Sequence, residues 1–326
     1  MSLELLIVLV LVLAAEFVNG LTDAPNAIAT VISTRVLSPK QAVILASLFN
    51  AAGAFSGLAV AATIGKGIVK PEAIGLQIVG AAMIAIVTWS MIAWRFSLPT
   101  SESHALVAGL TGAGLASGGP QVLLWAGWKK ILIGIFSSTF LGFIAGLVII
   151  VLIFWLFKKA APWKVRRVFG KLQIFSAAFM AFSHGSNDGQ KFIGVFALAL
   201  FLGGVTPVFL VPFWVIILCA LVMAFGTYLG GWRIIKTMGM RLVKLEPHHG
   251  FAAETGAALV IEVASRFGIP LSTTHTINTS IMGVGSSRRL SAVRWGVAGN
   301  IVTAWILTFP VCAAIAFGIT WILKII

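Results

Sequence analysis

Apolar runs of membrane length, interrupted at two matching places by polar clusters, constrain this chain more than any other feature. Leu3 to Ala15, Ile131 to Phe157 and Val208 to Phe225 are almost wholly hydrophobic, and a membrane helix needs about 20 such residues. The first interruption is Asn19-Gly20-Leu21-Thr22-Asp23-Ala24-Pro25-Asn26-Ala27. The second, half a chain later, is His184-Gly185-Ser186-Asn187-Asp188-Gly189-Gln190-Lys191. Gly20 and Pro25 disfavour a continuous helix, so both clusters are expected to break their helices. Corresponding breaks in two halves mark the site of secondary transporters.

Of 326 residues, 59% are hydrophobic and 10% charged, against about 25% charged in soluble domains. The chain reads as an all-α polytopic membrane protein. Its net charge of +14 does not indicate nucleic acid. The basic residues cluster at segment ends, as the positive-inside rule demands, and form no stripe. Cys219 and Cys312 lie in apolar segments and suggest neither disulfide nor zinc. Leu3 to Ala15 lacks a basic leader and cleavage site, so a retained first helix is expected.

Ten segments are expected: Leu3–Val36, Gln41–Ile64, Glu72–Phe96, Leu98–Ser117, Trp128–Phe157, Leu172–Leu202, Pro207–Gly230, Gly250–Phe267, Ile269–Gly285 and Ala292–Ile326. Five repeat. Leu98-Pro99-Thr100-Ser101-Glu102-Ser103-His104 superposes on Ile269-Pro270-Leu271-Ser272-Thr273-Thr274-His275. Asp23 falls on Asp188, Thr22 on Asn187, and Asn26 on Lys191; Trp128 and Trp295 open the last helix of each half. An odd number of crossings per half inverts one half relative to the other. Ten crossings place 16 basic residues on one side and 6 on the other. Making the fourth and ninth segments re-entrant divides them 13 to 9. The stronger asymmetry favours inverted repeats over 1–157 and 172–326, joined by a basic cytoplasmic linker, 158–171, with both termini extracytoplasmic.

An ionisable residue inside a membrane is costly and normally has a partner and a role. Asp23 and Asp188, with Asn26, Asn187 and Thr22, offer oxygens for a hard cation, sodium or a proton being the candidates. An aspartate capping a half-helix is the structural alternative. Ser101, Ser103, Ser272, Thr273 and Thr274 each follow a proline and precede a short helix. Pro99 and Pro270 are expected at the helix starts. Helix N-terminal amides plus hydroxyls suit a tetrahedral oxyanion; simple N-capping is the alternative. Lys191 is expected to pair with Asp188 or stand in for a cation. Glu102 either helps bind a cation or points away. His104 and His275 either serve the anion or proton, or pack between helices. Glu16, Glu254 and Glu262 are candidates for pairing with basic residues.

These stretches carry a resemblance. Asn19-Gly-Leu-Thr-Asp-Ala-Pro-Asn-Ala with Ser38-Pro39, and His184-Gly-Ser-Asn-Asp-Gly-Gln-Lys, resemble the two signatures of the inorganic phosphate transporter (PiT) family. The paired Pro-x-Ser-x-Ser/Thr-His stretches resemble its substrate loops. The resemblance runs end to end. It implies a cation-coupled phosphate symporter, dimeric, in a prokaryotic plasma membrane, with no cofactor beyond the coupling ion. It implies phosphate contacts from Ser101, Ser103, Ser272, Thr273, Thr274 and Asn187. It implies a coupling-ion environment from Asp23, Asn26, Asp188 and Thr22, with Lys191, His104, His275 and Glu102 as auxiliaries. Thr22 stands where many members have Asn, and Glu102 where a small residue is common. The family also includes sulfate carriers. Sodium-driven phosphate import by alternating access is therefore expected, with a proton-coupled phosphate or sulfate carrier as the alternative. An intramembrane enzyme finds no support, since HExxH and GxSxG motifs are lacking. Paired breaks favour a carrier over a channel.

Overall fold

The computed structural model describes residues 2–71 and 74–325. Glu72, the expected start of the third segment, lies outside the described residues. Thirteen α-helices appear in that range: α1 Leu3–Ser33, α2 Pro39–Ala54, α3 Ala59–Gly67, α4 Leu76–Arg95, α5 Glu102–Gly118, α6 Trp125–Leu156 and α7 Pro162–His184; then α8 Gln190–Leu202, α9 Phe213–Leu229, α10 Trp232–Lys236, α11 Pro247–Arg266, α12 Thr273–Ser286 and α13 Trp295–Ile325. Four of them (α1, α4, α6 and α13) are long and apolar enough to cross a membrane. There are up to six spans if the bent pairs α2–α3 and α9–α10 each count as one. Length and composition alone do not reach the ten expected crossings. α5 and α12, with 17 and 14 residues, fall short of the roughly 20 that a span requires.

The helix breaks lie elsewhere than expected. α1 runs unbroken through the first polar cluster with Pro25 inside it. Neighbouring helices in a membrane protein tolerate the lost donor. A Cβ on Gly20 would collide with the Met223 carbonyl of α9, so this glycine serves close packing. The second cluster is a single π-turn, Gly185–Gly189, joining α7 directly to α8. The sharp bends fall inside the second expected segment, 70° between α2 and α3, and at the end of the seventh, 59° after α9. Hydropathy conceals the first because α2 and α3 are both largely apolar; the second lies at Gly230-Gly231, just ahead of Arg233 and Lys236.

Other boundaries shift for local reasons. Pro162 opens α7 as its first residue, so most of the basic linker is helical. Pro99 and Pro270 lie before α5 and α12 rather than at their starts. Ser101 and Ser272 are the N-caps, in extended conformation. Trp125, not Trp128, opens α6, and a short 3-10 turn precedes both α6 and α13.

Apolar side chains form two cores. One gathers Leu5–Ala15 of α1, α3, α4, α5, Phe192–Leu200 of α8 and part of α9. The other gathers Ala24–Ile32 of α1, Phe169–Ala181 of α7, α11 and α12. α1 thus runs from the first core to the second, and α7–α8 runs from the second to the first. Packing is reciprocal: α1 meets α9 while α7 meets α2, and α5 meets α13 while α12 meets α6. Between the cores, at the level of residues 16–26 and 184–191, lies a belt of buried polar side chains.

Several of these crossings depend on glycine. A Cβ on Gly185 would strike the Asn50 carbonyl, whereas one on Gly299 meets nothing within 4 Å. Gly185→Ala should lower stability by about 1–3 kcal/mol, the usual cost of overpacking. Gly299→Ala should not. Thermal unfolding in detergent compares the two; equal midpoints would remove the close-packing account.

Candidate functional site

The polar belt is built from the middle of α1, the π-turn and the starts of α5 and α12. Asp188 of the π-turn and Lys191 in the first turn of α8 share one helix face at i and i+3. Both are 1% exposed. Lys191 Nζ donates to Asp188 Oδ1 (2.5 Å), to the Leu271 carbonyl (2.7 Å) and to Ser103 Oγ. Ser103 Oγ in turn donates to the Leu271 carbonyl at 2.8 Å. One ammonium therefore ties the π-turn to both short-helix starts. The expected Lys191–Asp188 pair is present.

α12 bridges the two aspartates. Thr273 Oγ1 donates to Asp188 Oδ2 at 2.8 Å. Thr274 Oγ1 lies 3.4 Å from both oxygens of Asp23. Asn26 Nδ2 donates to Thr274 Oγ1 (3.0 Å) and Thr273 Oγ1 (3.3 Å). Asp188 is thus compensated by a lysine and a hydroxyl, while Asp23 has only long contacts with Thr274 and, among the described residues, no cationic side chain within 4.0 Å. Ligand atoms of Asp23, Asp188 and His184 lie within 4.8 Å of one another. Two carboxylates beside two threonine hydroxyls are the donor set that a hard cation prefers.

The remaining expected residues are placed as follows. Ser101 and Ser272 accept from the backbone N–H of His104 (3.3 Å) and His275 (3.1 Å), which is N-capping. Thr22 Oγ1 donates to Glu102 Oε1 at 2.8 Å, and Ser90 donates to Glu102 Oε2 at 2.6 Å. The two departures from the family pattern are therefore hydrogen-bonded to each other. Asn187 donates to Ser265 Oγ (2.7 Å) and the Ile269 carbonyl (3.4 Å); it shares no hydrogen bond with the hydroxyl cluster. His104 and His275 meet edge to face at 4.4 Å, and His275 stacks on Trp305 at 3.7 Å. Glu262 pairs with Arg266. Glu16 and Glu254 pair with no basic residue among the described residues. Asn19 donates to Glu16 at 3.0 Å, and Glu254 accepts from Thr30, Gln173 and Ser176.

Sequence reasoning left several participants without roles. His184 lies 3.4 Å from Asp188 and touches Asn50 Oδ1 at 3.1 Å, and Asn50 donates to Thr227 at 3.0 Å. The i, i+4 spacing of His184 to Asp188 was the available signal. Asn50 was visible as a lone amide in an apolar segment. Ser90 and the Leu271 carbonyl had no sequence signal.

A polytopic helical protein with a charged, hydroxyl-rich site buried between two apolar cores is built as a solute transporter is built. The comparisons agree, and the chain belongs to the phosphate transporter family, whose profile matches residues 19–316. It is 48% identical to a probable low-affinity inorganic phosphate transporter of Rhizobium meliloti, over 92% of this chain and 91% of that one. It is 36% identical to the protein of the same description from Bacillus subtilis, over 98% and 97%. A solved structure described as the sodium-dependent phosphate transporter superposes over the whole of both chains with a TM-score of 0.84 at 26% identity.

Removing one partner of a buried ion pair strands the other and costs about 3–5 kcal/mol. Lys191→Gln should therefore destabilise the protein by that order. Adding Asp188→Asn to it should recover part of the loss. Thermal unfolding of the three proteins measures this; additive losses in the double variant would contradict the pairing.

Proposed function

We propose that this protein imports phosphate by sodium symport through alternating access, with Ser103, Thr273 and Thr274 holding the anion. The observation that carries the reading is the asymmetry of the two aspartates. Asp188 is neutralised from within by Lys191, whereas Asp23, opposite it, has no cation of its own. A sodium ion at Asp23, near the two threonine hydroxyls and Asp188, fills that deficit and leaves the hydroxyls to face phosphate. Asn26 orients both threonines; Ser101 and Ser272 set the helix starts whose free amides favour an anion. Asn187, Thr22 and Glu102 support the walls from their own hydrogen bonds. His104 and His275 pack the two helix starts together.

The halves 1–157 and 172–326 act as inverted repeats about the linker 158–171. The opposite running of α1 and α7–α8 between the two cores supports this, as does the reciprocal packing. The positive-inside asymmetry supports a plasma-membrane protein with both termini outside. Exposed apolar side chains on α6 and α13, such as Phe136, Phe140, Ile306 and Trp321, suit lipid and a second copy of the chain. No catalytic role is assigned.

A proton-coupled carrier is the second reading. Glu16 and Glu254, both fully buried and without basic partners, favour it. Uptake of radiolabelled phosphate into proteoliposomes separates the two. Under sodium symport, an imposed sodium gradient drives uptake at fixed pH and Asp23→Asn abolishes that drive. Uptake that follows a pH gradient alone would overturn the sodium assignment. Ser103→Ala should weaken apparent phosphate affinity by about tenfold, the equivalent of one charge-assisted hydrogen bond. Unchanged affinity in both Ser103→Ala and Thr274→Ala would remove the hydroxyl cluster from the substrate site.

A further inference from the structure

Away from this site, four basic side chains converge on one cavity of about 520 Å³. It lies where the end of α1, α7, the segment after Arg241 and the start of α13 meet. Arg35, Arg166, Lys244 and Arg294 line it, and Glu246 is the one acid of the lining. None of the four cations has a carboxylate within 4.0 Å among the described residues; Glu246 instead faces His248 at 3.8 Å. Arg35, at φ 59°, closes the C-terminus of α1, with the Val36 N–H donating back to the Val31 carbonyl at 3.1 Å.

All four side chains are exposed, so water and salt screen their mutual repulsion, but an anion seated among them would be attracted by every one. Arginine, which supplies three of the four, offers a fork suited to phosphoryl oxygens. A chain of hydrogen bonds runs from the cavity wall towards the buried polar belt. Thr34, part of its lining, donates to Gln173 Oε1 at 2.8 Å. Gln173 donates to Glu254 Oε1 at 3.0 Å, and Thr30 donates to the same oxygen at 2.5 Å. Asn26 lies one helical turn further along α1.

We propose that this cavity is a second phosphoanion site, on the inner face, which takes inorganic phosphate as it leaves the transport site. The words "inner" and "leaves" rest on the function and orientation proposed above; binding at the cavity does not. A phospholipid headgroup carries the same chemistry and is the competing occupant.

Pyrophosphate is the probe. The full chain, purified and placed in phosphatidylcholine nanodiscs, should bind radiolabelled pyrophosphate saturably, and more weakly as ionic strength rises. Arg166→Gln with Arg294→Gln should weaken binding about tenfold or more, and Lys244→Gln alone should weaken it in the same direction. Ser103→Ala should leave it unchanged, which separates this site from the transport site. The absence of saturable binding by the parent would overturn the proposal, as would equal binding by the parent and both sets of variants. In discs containing phosphatidylglycerol, retained pyrophosphate binding supports free phosphate as the occupant. Displacement by that lipid overturns the assignment in favour of the headgroup.

Discussion

Lys191 is held 1% exposed between two apolar cores, and the arrangement of the site follows from how its charge is met. A lone cation there would cost at least ~2.5–3.5 kcal/mol on insertion scales. It is met by the carboxylate of Asp188, the hydroxyl of Ser103 and the carbonyl of Leu271. Those groups come from the π-turn, the start of α5 and the strand-like lead into α12. The π-turn matters because it joins α7 to α8 without unwinding either, while presenting Asp188 and Lys191 to the same neighbours. Shifting the phase of a helix by one residue is a frequent device at functional sites.

The first half answers the same position differently. Asn26 occupies the place of Lys191 and supplies an amide that organises Thr273 and Thr274. The correspondence of the two polar clusters in sequence is therefore not matched by symmetry of charge. One aspartate is permanently balanced and the other is open. A carrier needs a site whose occupancy is favourable enough to fill and reversible enough to empty. An internal lysine cannot leave, whereas a mobile cation can. The Thr22–Glu102–Ser90 hydrogen bonds differ from both: this buried carboxyl is satisfied by two hydroxyls.

Much of this was legible in the chain. The polar clusters, the paired Pro-x-Ser stretches and the match of Asp23 with Asp188 located the site, because buried polar groups in an apolar segment need a reason. What could not be read was where the chain bends. Pro25 and Gly20 suggested a break, yet α1 continues, since packing against α9 fixes the helix from outside. The bend after α2 carries no charged residue to betray it, whereas the one after α9 falls at Gly230-Gly231, where the expected segment ended. Partner choice was hidden where it is tertiary: that Asn187 would bond Ser265 depends on contacts between distant stretches, whereas the capping by Ser101 and Ser272 is local and was the alternative that the Pro-x-Ser pattern offered.

The central claim is that Asp23 is open to a cation whose presence completes the phosphate site. Linkage makes this measurable, because an ion that improves phosphate binding must itself bind more tightly when phosphate is present. Equilibrium binding of phosphate to the purified protein, titrated over sodium concentration at constant ionic strength and pH, is the direct test. The account predicts that phosphate affinity rises with sodium in the parent and is insensitive to sodium in Asp23→Asn. Phosphate affinity that is the same with and without sodium in the parent would contradict it.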